Sequence, residues 1–189
     1  FPYSAAKSTL GDVTGDGVED VVVFHRGTGG SVDVISKGQV RTLAQSLNIG
    51  NPSRVAVIRF PAGPQIVLGD TSGKLLGLGV DGAPRWEANI GSRELRGMDD
   101  ARIAGQIHVA VATNDGSIAV FDSNGRAVWE ASQEVLRRMR AFDLNGDGNS
   151  EIITGGEYGA FIVYNAADGS ILFEKSLGQA VTEVREVEL

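Results

Sequence analysis

The sequence predicts an all-β chain of about four repeated blades, each a sheet of four antiparallel strands, and three observations predict it. The 189 residues include 26 glycines, roughly twice the usual share, with 5 prolines and no cysteine. The glycines recur: Gly30, Gly73, Gly116 and Gly159 lie 43 residues apart, and Gly38, Gly82, Gly125 and Gly169 lie 44, 43 and 44 apart. Between them stand short apolar runs bounded by turn residues, which favours strands over helices. Two hairpin turns in each 43-residue period join three strands and leave room for a fourth. Such a unit is the blade of a β-propeller. One sheet cannot bury both of its faces, so neighbouring units must stack.

The elements follow from that period. Repeats run roughly over 4–51, 52–92, 93–133 and 134–180 of a single domain. First strands are expected between Tyr3 and Leu10, over Arg54 to Phe60, Leu95 to Asp99 and Leu136 to Phe142. Second strands fall on Asp20 to Phe24, Ile66 to Leu68, Ile107 to Thr113 and Glu151 to Thr154. Third strands fall on Ser31 to Ile35, Lys74 to Val80, Ser117 to Phe121 and Ala160 to Tyr164. Asp81-Gly82, Asn124-Gly125 and Asp168-Gly169 then supply hairpin turns, because tight hairpins need φ > 0. The fourth strand of the third repeat is Arg126 to Glu130. Trp86 and Trp129 occupy one fourth-strand position, with Leu43 and Phe173 in the equivalent places, where a large side chain covers the gap between blades. Gly50, Gly91 and Gly178 mark the passages between blades. The segment 181–189, Val181 to Leu189, aligns with the first strand of a fifth repeat. Two segments thus compete for one slot: one closes the first blade as a clasp, and the other is a surplus strand available for exchange with another chain. The outcomes are a four-bladed monomer, a strand-exchanged polymer, or a fragment of a larger propeller.

Composition narrows the function. Apolar residues are 42% and charged residues 22% of the chain, a core-forming balance. A net charge of −7 argues against nucleic acid and anionic membrane as partners, since both require a surplus of Lys and Arg. No apolar run approaches the roughly 18 residues that span a bilayer. No signal-peptide pattern is present, which is compatible with a mature secreted form. Without cysteine there is no disulfide, thiol catalysis or cysteine metal site.

Two loops carry candidate chemistry. Asp12-Val13-Thr14-Gly15-Asp16-Gly17-Val18-Glu19-Asp20 and Asp143-Leu144-Asn145-Gly146-Asp147-Gly148-Asn149-Ser150-Glu151 share one plan. Oxygen-bearing side chains stand at positions 1, 3, 5 and 9, with glycine at 6. Calcium takes six to eight hard oxygen ligands, and such a loop aims alternate side chains inward. The candidate ligands are Asp12, Thr14, Asp16, the Val18 carbonyl and Asp20 in the first loop. In the second they are Asp143, Asn145, Asp147, the Asn149 carbonyl and Glu151. An EF-hand is excluded, because its twelfth position is Glu and here it is Val23 or Thr154. The other two repeats lack the pattern: Asp100 to Gln106 keeps one carboxylate and puts Arg102 at a ligand position, and Phe60 to Gln65 keeps none. Two Ca2+ sites are expected. The competing reading is a pair of solvated turns whose Asp and Asn bond the local backbone.

These loops resemble the FG-GAP and VCBS repeats of integrin-type propellers. Gly116 to Trp129 resembles the tryptophan-docking repeat of quinoprotein-like propellers. The resemblance implies structural calcium, an extracellular or periplasmic location, and binding or scaffolding work. On that reading the chain is a non-enzymatic structural, assembly or adhesion module. Its partner is a protein (another copy or another surface protein) or a glycan, with oligomers or a filament built through the terminal strands. The rival is a sugar-active or quinone-dependent enzyme. The only histidines, His25 and His108, lie on strands 83 residues apart, and no nucleophile elbow, phosphate loop or zinc spacing appears. Arg137, Arg138 and Arg140, with Arg93, Arg96 and Arg102 in the preceding repeat, form either a salt-bridged blade edge or a site for an acidic partner such as Glu183, Glu186 and Glu188 of another copy.

Overall fold

The computed structural model describes residues 6–27 and 29–184, and among them are sixteen strands and no helix. The first blade comprises β1 (Ala6–Gly11), β2 (Asp20–His25), β3 (Ser31–Ser36) and β4 (Gln39–Gln45). The second comprises β5 (Pro52–Phe60), β6 (Gly63–Asp70), β7 (Lys74–Gly79) and β8 (Pro84–Asn89). The third comprises β9 (Leu95–Ile103), β10 (Gln106–Thr113), β11 (Ser117–Phe121) and β12 (Ala127–Ser132). The fourth comprises β13 (Leu136–Phe142), β14 (Glu151–Gly156), β15 (Ala160–Asn165) and β16 (Ile171–Ser176). Each sheet is an antiparallel meander in sequence order. All eight hairpin glycines adopt positive φ, from +73° at Gly125 and Gly169 to +100° at Gly159, so the 43-residue period is the spacing of left-handed turn positions.

The chain divides into two compact units, Phe1–Asn89 with the first two blades and Ile90–Leu189 with the last two. In the first unit Val22, Phe24, Val32 and Val34 pack on Ile66, Leu68, Leu76 and Leu78 of the neighbouring blade. In the second, Ala110, Ala112, Ile118 and Val120 pack on Ile152, Ile162 and Tyr164. The middle strands of each blade supply these residues, which is why they read as short continuous apolar runs. Each fully buried Val, Leu, Ile or Phe contributes about 1.5–3 kcal/mol. First strands of adjacent blades run close together: a Cβ on Gly11 would fall 2.6 Å from Val57 Cβ, and one on Gly97 would fall 2.7 Å from Met139 Cβ.

The structure bears on three expectations. The first-strand slot of the first blade is filled by β1, paired with β2 from Ala6↔His25 to Gly11↔Asp20; Tyr3 to Ala5 lie outside the described residues. The expected surplus strand is not seen over residues 181–184, which form no strand, and residues 185–189 lie outside the described residues. Val181 instead packs over Gly155, donating its N–H to the Gly156 carbonyl at 3.0 Å, with Val181 Cγ1 2.5 Å from where a Gly155 Cβ would stand. Finally, in the second and third blades the segments 60–65 and 100–106 are not loops but the ends of long hairpins. There β5–β6 and β9–β10 pair through Phe60↔Gly63 and Ile103↔Gln106. Without an acidic loop between them, these strands pair up to a two-residue turn.

The fourth-strand position serves different ends in different blades. Leu43 sits against the Gly82 turn of the next blade, its carbonyl carbon 3.1 Å from where a Cβ would be. Trp129 covers the Gly169 turn and donates Nε1–H to the Ala166 carbonyl at 2.7 Å. Trp86 lies over Gly77 of its own blade and donates to Gln65 Oε1 at 2.8 Å. Phe173 is 49% exposed.

Candidate functional site

The two acidic loops are built alike. Each connects the first strand of its blade to the second, β1 to β2 and β13 to β14. In the first, Asp12 accepts hydrogen bonds from the Gly15 and Gly17 amides at 2.7 and 2.9 Å. In the second, Asp143 accepts from Gly146 and Gly148, each at 2.8 Å. The carboxylate at position 9 turns back to the amide at position 2 in both: Asp20 accepts from Val13 at 3.0 Å and Glu151 from Leu144 at 2.8 Å. Position 5 caps position 7 in both, through Asp16 to Val18 and Asp147 to Asn149. Asp20 and Glu151 are buried at the base of each loop, whereas position 5 is at the surface. Thr14 donates its amide to Asp20 at 3.0 Å, and Asn145 Oδ1 accepts from the Asp147 amide at 2.8 Å.

The loops differ in their neighbours. Lys37 places its ammonium 2.7 Å from Asp16, and this hydrogen bond holds the Asp16 carboxyl below the usual range. Burial alone would raise the Asp20 carboxyl, but hydrogen bonds from Ser36, Val13 and Thr14 keep it low. A pocket of about 380 Å³ opens here beside Thr14, Asp16, Ser36 and Lys37. The second loop has no lysine in the equivalent place. The Asn149 amide holds the Asp147 carboxyl low. The loop is tied instead to the β9–β10 hairpin: the Ala104 amide donates to Asn149 Oδ1 at 2.7 Å, and the Arg102 amide donates to Ser150 Oγ at 2.9 Å. Between them lies a cavity of about 380 Å³ lined by Asp100, Arg102, Phe142, Asp143 and Gly148. Arg102, the residue at a ligand position of the lost third loop, therefore borders the surviving fourth one.

Each loop offers a donor set of hard oxygens, which fits calcium by chemistry. Their carboxylates are arranged around backbone amides, and among the described residues no three His, Asp or Glu side chains stand grouped as around an ion.

Other candidates resolve into structure. Arg137 forms an ion pair with Glu157, Arg140 lies 3.5 Å from Asp99, and Arg96 bonds Asn114 and faces Glu94 at 3.8 Å. Arg96, Arg137 and Arg140 are thus salt-bridged along a blade edge; Glu186 and Glu188 lie outside the described residues. His25 bonds Asp33 at 3.0 Å, and His108 Nδ1 lies 3.3 Å from the Gln106 carbonyl. The sequence reading missed a set of acidic staples at blade passages. Asp70, buried, accepts from the Gly50, Ser72 and Lys74 amides at 2.8–3.0 Å. Asp115 does the same for Ser92 and Ser117 and accepts from the Thr113 hydroxyl, and Glu134 reaches the Tyr158 and Ala160 amides. The available signal was an acid within three residues of a turn glycine, at Asp70 before Gly73 and Asp115 before Gly116.

Four sequential meanders with inter-blade cores decide the fold class. It is a β-propeller. No family model matches the sequence. The chain is similar to the human BBSome complex member BBS2, 31% identical over 75 residues, 40% of this chain and 10% of that protein. It is similar in structure to BBS1N, solved in complex with ARL6DN, with a TM-score of 0.68, 16% identity, and coverage of 94% of this chain and 52% of that one. The computationally designed Ika8 protein gives a TM-score of 0.69 at 16% identity, covering 96% of this chain and 52% of that one. The chain spans about half the length of these solved propellers and a tenth of the curated relative. No helix among the described residues is long and apolar enough to cross a membrane.

Proposed function

We propose that this propeller is a non-enzymatic protein-binding module stabilised by calcium. The observation that carries the interaction reading is its likeness to BBS2, a member of a protein complex, together with its fold likeness to BBS1N, solved with a protein partner. What supports calcium is the duplicated loop plan, in which residues of one type stand at the same positions and make the same backbone bonds in two blades. Asp143, Asn145, Asp147, the Asn149 carbonyl and Glu151 would hold the stronger ion. Asp12, Thr14, Asp16, the Val18 carbonyl and Asp20 would hold the weaker, because Lys37 already neutralises Asp16. Bound calcium stabilises the folded state by mass action, by about 2.7 kcal/mol at a hundredfold excess over Kd. An extracellular or periplasmic location, adhesion or assembly work, and a glycan as partner belong to the same proposal.

Melting in calcium and in excess chelator tests the metal: a lower melting temperature on chelation is expected, and an unchanged melt overturns it. A purified protein that binds this chain supports the interaction reading. A bound quinone, or turnover of a glycan by the purified chain, overturns it.

A further inference from the structure

In both blades of the second unit the first strand begins with a β-bulge. Thr113 pairs with Leu95 and Ala112 with Gly97, so Arg96 is the extra residue of β9. Gly156 pairs with Leu136 and Gly155 with Arg138, so Arg137 is the extra residue of β13. A bulge turns its unpaired residue out of the ladder, and such positions recur beside functional sites. Each arginine reaches the turn residue of its own blade. Arg96 Nε donates to Asn114 Oδ1 at 3.0 Å; Arg137 donates through Nη2 to Glu157 Oε1 at 2.6 Å and sets its Nε against Oε2. The fold does not require arginine here, because the same bulge in the second blade holds Ser53, which is buried. Between the two arginines opens a cavity of about 260 Å³ lined by Arg96, Asn114, Val135, Arg137, Arg138 and Glu157. Three guanidinium groups thus meet one carboxylate in the lining, in a chain of net charge −7. Glu94 approaches Arg96 only at 3.8 Å. Arg138 is exposed and donates Nη1–H to the Arg137 carbonyl at 2.8 Å; its other N–H groups meet no acceptor among the described residues. The cavity is separate from the Asp143 loop, since β13 runs about 20 Å from Leu136 to Phe142 before that loop begins.

We infer that this cavity docks an acidic segment of a partner protein, seating a Glu or Asp carboxylate on Arg138 beside Arg96 and Arg137. Charge complementarity names the class of occupant: the guanidinium fork matches a planar carboxylate, as the Arg137–Glu157 pair already shows. Glu157 on the wall and Glu94 beside Arg96 oppose a dianionic phosphate more than a singly charged carboxylate. The volume falls below the roughly 300 Å³ at which small-molecule sites begin, which favours one side chain of a longer segment whose backbone stays outside. The inference rests on the protein-binding reading and adds the chemistry of the partner and the place where it docks.

Fluorescence anisotropy of a labelled hexaglutamate peptide, titrated with the 189-residue chain, tests it. Binding is expected, and it should weaken as salt rises from about 50 to about 300 mM. Arg138→Glu should weaken it about tenfold or more, the effect of losing a charge-assisted hydrogen bond. Arg126→Glu, an equal change of charge at the exposed β11–β12 turn, should leave it within about twofold. Both positions are exposed, so the melting temperature should stay within about 2 °C of the parent. Glu157→Gln should tighten peptide binding about threefold, because it frees Arg137 from its own carboxylate; a purely structural pair gives no such gain. A parent chain that does not bind the peptide, binding retained in Arg138→Glu, an equal loss in Arg126→Glu, no gain in Glu157→Gln, or tighter binding of a phosphoserine peptide of the same length overturns the inference. The titration needs neither calcium nor the natural partner. A purified partner whose binding survives Arg138→Glu overturns the inference and leaves the protein-binding reading standing, so the two failures are distinguishable.

Discussion

Replacing Trp129 by alanine tests whether the fourth-strand aromatic holds one blade to the next. The ring is half-buried over the Gly169 turn, 6.0 Å from the Tyr164 ring, and donates to the Ala166 carbonyl. A half-buried Trp loses about 100 Å² of covered apolar surface, or about 2.5 kcal/mol at 25 cal/mol/Å². The hydrogen bond adds about 1 kcal/mol and the tilted aromatic pair about 0.5 kcal/mol. Water refilling the surface groove offsets part of this, so Trp129→Ala should cost about 3 kcal/mol. Trp129→Phe keeps most of the ring and loses the hydrogen bond, at about 1 kcal/mol. Urea unfolding followed by Trp86 fluorescence and far-ultraviolet circular dichroism measures both. A cost below about 1 kcal/mol for Trp129→Ala, or equal costs for the two variants, refutes the docking argument.

Gly77→Ala should destabilise by about 1–3 kcal/mol in the same assay, because its Cβ would stand 2.2 Å from a Trp86 ring atom already anchored to Gln65. Asp143→Ala should cost about 1–2 kcal/mol even in chelator, by stranding the Gly146 and Gly148 amides. In calcium the loss should be larger, read as a smaller melting shift between calcium and chelator. At Asp115, burial raises the carboxyl, but hydrogen bonds from Thr113, Ser92 and Ser117 outweigh it and lower it from 3.8 to about 2. Because the folded value is the lower one, its stabilisation is present above pH 3.8 and is lost as the pH falls toward about 2. The side chain is exposed, so the contribution is about 1 kcal/mol after allowance for solvent screening. Asp115→Asn should flatten the acid limb of the stability–pH curve over that window, and an unchanged limb refutes the assignment.

The 43-residue spacing of left-handed glycines determined the blade, since a two-residue turn with φ > 0 tolerates little else and leaves its mark at a fixed position. Short apolar runs determined the middle strands, which are buried on both faces along most of their length in the second, third and fourth blades and on one face in the first. The two acidic loops were legible because a nine-residue plan of oxygens and glycines is local. What the local pattern could not hold was context. That Lys37 answers Asp16, that Arg102 borders the Asp143 loop, and that Asp70 and Asp115 staple the passages between blades all depend on residues brought together from 20 to 41 positions apart or across a turn. Equivalent residues also diverged once packed: Trp129 covers its neighbour, Trp86 covers its own blade, and Phe173 stays exposed. Side-chain type and period are properties of the chain. Whether a side chain meets an amide, a lysine or water depends on which surface folding sets in front of it, and that only the tertiary structure decided.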